Sequence, residues 1–210
     1  MNRKELMTEI ISRLKKEYLV LKPALNFKSP FELLAATILS AQTTDIQVNK
    51  VTETLFRKYK SVKDFSNADP AVLERDVSSV NFYRNKASNI QNAAKLIIGQ
   101  YNGEVPRTMD DLTSLPGVAR KTANIVLYNA FGIIEGIAVD THVMRLAQRL
   151  GLTKYGEPAK IEKDLMEIVP KKEWGNITHL LIFHGRKICP AKKPLHEKCV
   201  LFDICPSRNI

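Results

Sequence analysis

Apolar side chains recur along this chain at spacings of three and four, the period of a helix with one buried face. Met7, Ile11, Leu14 and Tyr18 make one such stripe, and Ala87, Ile90, Ala94, Ile97 and Tyr101 make another. Both predict amphipathic helices that turn a stripe toward a core. Ser29-Pro30-Phe31-Glu32 combines a capping residue, a proline at the first helical position and an early acid, and it leads into the almost wholly apolar run 33–39. That helix is predicted to be central. Further helices are expected near 46–59, 70–77, 109–114, 118–131, 141–150, 159–169 and 174–188. Strand alternation is nearly absent; the one candidate, 133–139, lies between helical patterns and is better read as a connector toward Asp140. The pattern therefore predicts an all-α protein, with no repeat array and no low-complexity linker.

Composition narrows the partners. A chain of 210 residues with 44% hydrophobic content is long enough for one large domain or two small ones. No stretch approaches the roughly 18 apolar residues of a membrane span. Met1-Asn2-Arg3-Lys4-Glu5 runs into a charged amphipathic pattern without a signal core, so a cytoplasmic protein with no membrane association is expected, nucleoid-associated in a prokaryote. Thirty-two basic residues against 22 acidic ones give a formal charge of +10, which favours polyanions, although a merely soluble basic protein would show the same balance. All three cysteines, Cys189, Cys199 and Cys205, fall in the last stretch, which suits a metal site better than a disulfide framework.

Candidate chemistry concentrates in Leu115-Pro116-Gly117-Val118-Ala119-Arg120-Lys121, a tight Pro-Gly turn at the mouth of a helix. With the short helix before it, this makes a helix-hairpin-helix. Its unpaired backbone amides, near Gly117 and Ala119, can bind a DNA phosphate without reading a base. By itself the turn could equally be a plain connection between helices, Lys121 a solvated lysine and Asp140 a cap before Thr141.

The order of the motifs decides between these readings. Asn26-Phe27, Ser29-Pro30-Phe31-Glu32-Leu33-Leu34, Leu39-Ser40-Ala41-Gln42, Asn102-Gly103-Glu104-Val105-Pro106, the hairpin with Lys121, Val139-Asp140-Thr141-His142 and His184-Gly185-Arg186 follow one another over nearly the whole chain. Together they resemble the endonuclease III family of DNA glycosylases. The resemblance implies a two-lobed all-α helix-hairpin-helix glycosylase fold, with one domain over 22–132 and a second made of 1–21 and 133–210. It also implies a bifunctional DNA glycosylase and AP lyase of base-excision repair, acting as a monomer on damaged double-stranded DNA and removing oxidised pyrimidines. Lys121 matches the family's nucleophile and Asp140 its second catalytic group. A lysine near its reference pKa of about 10.4 is protonated, so burial or neighbouring cations, with Arg120 and the helix N-terminus as contributors, are expected to free the amine. A non-catalytic helix-hairpin-helix DNA-binding protein is the alternative that charge and hairpin alone would allow.

An enzyme that attacks a sugar carbon must extrude the nucleotide and fill the gap left behind. Gln42 resembles the family's gap-filling glutamine, and Phe82 in Asn81-Phe82-Tyr83-Arg84 matches its apolar wedge. Asn81 and Ala119 stand where glycine is common in the family. The family also ends in four cysteines that hold a [4Fe–4S] cluster, whereas this chain reads Cys189-x6-His196-x2-Cys199-x5-Cys205. Histidine is a competent ligand, so a cluster with Cys3His ligation by Cys189, His196, Cys199 and Cys205 is expected, with zinc or an empty site as alternatives. Exchange of a thiolate for neutral imidazole would raise the cluster's reduction potential. Lys187, Lys192, Lys193 and Lys198 surround these positions, and the metal loop 189–205 is expected to present them to phosphate.

Overall fold

The computed structural model describes residues 2–19 and 24–209. Among them the chain forms eleven α-helices joined by turns and short 3-10 segments: α1 (Arg3–Glu17), α2 (Pro30–Leu39), α3 (Asp45–Lys58), α4 (Val62–Ser66), α5 (Pro70–Asp76), α6 (Tyr83–Tyr101), α7 (Met109–Ser114), α8 (Arg120–Phe131), α9 (Thr141–Arg149), α10 (Pro158–Ile168) and α11 (Trp174–Lys187). The segment 133–139 is irregular backbone, consistent with its reading as a connector.

The chain divides into two compact units, Pro23–Ile133 and Met1–Lys22 with Ile134–Ile210. A junction at residues 21 and 22 lies outside the described residues. In the continuous unit α2 is buried from Leu33 to Leu39, because nearly every side chain it carries is apolar. Ser29 Oγ caps it by accepting from Glu32 N at 3.2 Å. It packs on α3, α6 and α8, while α4 and α5 pack on α6 and α7 packs on α8. Truncating Leu34 or Leu39 in such a core would cost about 2–5 kcal/mol.

The discontinuous unit has its own core. Met7, Ile10, Ile11 and Leu14 of α1 join Val143 and Leu146 of α9, Ile161 and Leu165 of α10 and Ile177, Leu180 and Leu181 of α11. Asn2 and Glu5 form a reciprocal capping box that starts α1. Two hydrogen bonds fix the connector before Asp140: Glu162 Oε1 accepts from Ile137 N at 3.2 Å, and Thr178 Oγ1 donates to Ala138 O at 3.0 Å.

Two local expectations change. Helix α8 starts at Arg120 rather than Val118, because Val118 N turns back to Leu115 O at 3.2 Å and Ala119 is extended. Helix α4 was not foreseen: its five residues are too few to show a periodic stripe, and its signal is local, the capping box of Ser61 and Asp64.

Candidate functional site

The hairpin is a turn of Leu115, Pro116, Gly117 and Val118 closed by that Val118-to-Leu115 bond, with Gly117 at φ +77°. This is type II turn geometry, in which proline sets the first central residue and glycine takes the left-handed second. Glycine is required for a second reason: a Cβ there would stand 2.8 Å from Asn89 Nδ2 on α6. Ala119 is the N-cap of α8 and supplies no side-chain cap bond. A helix opening without a side-chain cap is the arrangement that binds anions at helix N-termini. Lys121 lies in this first turn and is exposed.

Asp140 is the N-cap of α9. Its Oδ1 accepts from Val143 N at 2.8 Å, and the residue is half-buried. One carboxylate oxygen anchors the group while Oδ2 lies outside the cap bond. On the same helix Arg145 donates to Gly185 O and Cys189 O at 2.9 and 3.0 Å, and its guanidinium approaches His142 Nδ1 at 3.1 Å. Burial, then the neighbouring Arg149, lowers the Arg145 pKa from its ordinary value.

Gln42 and Phe82 both have left-handed backbones, with φ of +54° and +56°, and both are exposed, Phe82 to 62%. An aromatic ring so little covered is not part of the core. Non-glycine residues in this region are held there against roughly 1–2 kcal/mol of local strain.

Cys189, His196, Cys199 and Cys205 line one apolar cavity in the discontinuous unit. The cysteines are unpaired and half-buried. Burial raises the pKa values of Cys199 and Cys205, and the proximity of the other sulfurs adds to it. Three thiolates this close are poorly stable without a cationic centre among them, so the donor set fits a metal group. Among the described residues no three His, Cys, Asp or Glu side chains converge tightly enough to hold a single ion.

Several contributors here were assigned no role by the sequence. Arg149 at the end of α9 donates to Cys189 Sγ at 3.1 Å, Pro190 O at 2.8 Å and Ala191 O at 2.9 Å. His184, 2% exposed, lies 3.5 Å from Cys199 Sγ through Nε2 and 3.2 Å from the Tyr18 hydroxyl through Nδ1, and its burial lowers its pKa to about 4. The helical spacing of Arg145 and Arg149 was the available signal, since positions four apart share a face. The Tyr18 and His184 contact joins elements far apart in sequence and had none.

Comparison with known proteins agrees with this geometry. Residues 35–171 match the model of the HhH-GPD superfamily base excision DNA repair proteins. Endonuclease III of Synechocystis sp. is 50% identical over 206 residues, covering 98% of this chain and 94% of that protein. Endonuclease III of Bacillus subtilis is 49% identical over 178 residues, covering 84% and 81%. A solved endonuclease III, trapped as a covalent intermediate with DNA, superposes with a TM-score of 0.93 at 44% identity, covering 99% of this chain and 98% of its own. The chain therefore belongs to the endonuclease III family of HhH-GPD base excision repair DNA glycosylases.

Proposed function

We propose that this glycosylase and AP lyase excises oxidised pyrimidines from double-stranded DNA, with Lys121 as nucleophile and Asp140 as its paired carboxylate. The observation that carries the reading is the placement of Lys121: exposed, in the first turn of a helix whose opening amides have no side-chain cap, directly after the phosphate-binding turn. A phosphate held at Gly117 and Ala119 brings the backbone of the strand within reach of the lysine beside them.

The neutral Lys121 amine attacks C1′ of the extruded nucleotide, and the bond to the base breaks with its electron pair leaving on the base. Asp140 accepts the ammonium proton and offsets the positive charge that develops on the sugar. Its fixed role as a helix cap supports this assignment, because a carboxylate already oriented needs no rearrangement during reaction. The adduct then opens its sugar ring: the C1′–O4′ bond breaks with its electron pair on O4′, which takes a proton, and the C1′–N bond becomes the C=N of a Schiff base. This Schiff base acidifies C2′; loss of that proton expels the 3′ phosphate and nicks the strand. Gln42 and Phe82 fill the space left by the extruded nucleotide.

Cys189, His196, Cys199 and Cys205 would hold a [4Fe–4S] cluster, whose contribution is to cross-link the loop 189–205 rather than to react. Donors spread around a cavity, instead of gathered at one point, support a cluster over a single zinc ion. Lys187, Lys192, Lys193 and Lys198 are exposed around it and suit contact with phosphate. The protein acts as a monomer in this reading. Single-turnover assays on a panel of oxidised pyrimidines, with borohydride added, test it: a covalent adduct at Lys121 is expected, and base release without any adduct would overturn the amine mechanism.

A further inference from the structure

Gln42 and Phe82 belong to different loops, 40–44 before α3 and 78–82 before α6, yet the two loops are hydrogen-bonded to each other. Asn81 Nδ2 donates to Gln42 O at 2.5 Å, and Asn81 N donates to Thr43 Oγ1 at 3.2 Å. Gln47 Nε2 donates to Ser79 Oγ at 2.9 Å from the other side. Beneath them lies Lys86, on the first turns of α6 and only 5% exposed. Its Nζ donates to Leu39 O at 2.8 Å, Ala41 O at 2.5 Å and Thr43 Oγ1 at 3.2 Å.

The chemistry of this cluster is unusual for a lysine. An ammonium has three N–H donors, and here all three have acceptors belonging to the loop of Gln42 or to the end of α2. Leu39 O is at the C-terminal end of α2, where the helix carbonyls favour a cation. Burial alone lowers the pKa of Lys86 from its ordinary value, and none of these partners is a carboxylate. A buried cation held by backbone oxygens stabilises one shape of the loop that supplies them. Lys86 N in turn accepts helical order from Phe82, donating to Phe82 O at 3.1 Å. The Thr43 hydroxyl, as acceptor of both Asn81 N and Lys86 Nζ, is the node between the two loops.

We propose that Asn81 and Lys86 are positioning residues that lock the loops of Gln42 and Phe82 into one preformed clamp, so that both side chains enter the duplex together. The proposal rests on the reading of Gln42 and Phe82 as gap fillers. Two strained backbones persist only when their surroundings over-determine them, and the contacts of Asn81, Thr43 and Lys86 do so for Gln42 and Phe82 jointly. An alanine at 81 would keep the loop's composition but lose the donor to Gln42 O. The clamp lowers the ordering needed at the moment of extrusion, when an unlocked pair would have to be fixed separately.

The test uses the full-length enzyme and 2-aminopurine beside a paired lesion, so that fluorescence reports unstacking while quenched samples report single-turnover base release. Asn81→Ala is the main variant, since its side chain is exposed and its loss leaves the core intact; Lys86→Met accompanies it, with Tm as a check on folding. Asn81→Ala is expected to slow both signals about 3- to 10-fold, the equivalent of one net hydrogen bond. In a Gln42→Ala background the same change is expected to add less than about 2-fold, because residues acting through one another are not additive. The defect is also expected to shrink on a lesion facing a missing base, where extrusion breaks no base pair and costs less. Slowing by Gln42→Ala and Phe82→Ala with none from Asn81→Ala would overturn the clamp and leave the gap-filling reading standing. No slowing by any of the four variants would overturn that reading and the clamp with it, and full additivity of Asn81→Ala with Gln42→Ala would overturn the clamp alone.

Discussion

Gly117 and Asn89 lie so close that no side chain fits between them: a Cβ on Gly117 would stand 2.8 Å from Asn89 Nδ2 and 3.0 Å from Asn89 Cβ. The helix α6 thus serves as a floor for the turn at Pro116 and Gly117. Gly117→Ala is expected to cost about 1–2 kcal/mol for its left-handed backbone alone, and more for the contact. Adding Asn89→Ala removes the contacts with Nδ2 and Cγ, leaves the one with Cβ and does nothing for the backbone. Thermal melts and DNA titrations at low salt check this: the double variant is expected to regain part of the Tm lost and part of the affinity, and to fall short of the parent in both.

Lys121→Gln removes the amine and keeps a polar side chain. Base release and nicking are expected to fall on the order of 10³-fold or more, borohydride trapping to vanish and DNA binding to persist. Retention of the trapped adduct in this variant would place the nucleophile elsewhere.

Capping and chemistry are separable at Asp140. Asn is as good an N-cap as Asp, so Asp140→Asn is expected to keep its Tm and lose most activity, whereas Asp140→Ala is expected to lose activity and about 1 kcal/mol of stability. Denaturant melts of the two variants beside their single-turnover rates make the comparison, and equal stability of the two would show that the cap bond contributes nothing.

Metal content should depend on Arg149 as well as on the ligands. Arg149→Met keeps an apolar stem but gives up the bonds to Cys189 Sγ, Pro190 O and Ala191 O. Iron per chain and the broad absorption at about 400 nm, measured anaerobically, are expected to decline in Arg149→Met and in His196→Ala, and to be retained in His196→Cys. Unchanged metal in His196→Ala would remove His196 from the ligand set, and stoichiometric zinc in colourless parent protein would replace the cluster.

The pH dependence of stability has a defined sign at His179. Burial lowers its folded pKa below the ordinary 6.5, so the unfolded chain binds the proton first as the solution is acidified. Its contribution is present above pH 6.5 and is lost as pH falls below it, with a slope of at most about 1.4 kcal/mol per pH unit. Melts of the parent and of His179→Gln between pH 7.5 and 5.5 are expected to converge toward the acid end.

The helices were legible where a stripe was long. Leu33 to Leu39 announced a buried helix through composition alone, and Ala87, Ile90, Ala94 and Ile97 marked α6 by period. The turn at Gly117 was legible because Pro-Gly constrains backbone angles directly. What sequence did not carry were contacts between distant elements: Tyr18 with His184, Asn81 with Gln42, and Lys86 with the end of α2. These depend on how helices stack, and no spacing along the chain encodes that. Lys86 was hidden for a further reason, since a lysine in a helical pattern reads as a solvated face. The Cys189, His196, Cys199 and Cys205 set was visible as spacing, but the guanidinium of Arg149 beside its first sulfur was not.

Helix α9 begins at the cap of Asp140 and ends at Arg149, which grips the first residues of the cysteine loop. Nine residues of α-helix form a strut about 14 Å long, too short to bend appreciably. The carboxylate and the loop are therefore opposite ends of one lever. Whatever loosens the loop, oxidation of its sulfurs included, acts on the far end of the element that orients Asp140, so under the proposed chemistry damage to the protein's own cysteines would be felt where damage to DNA is repaired.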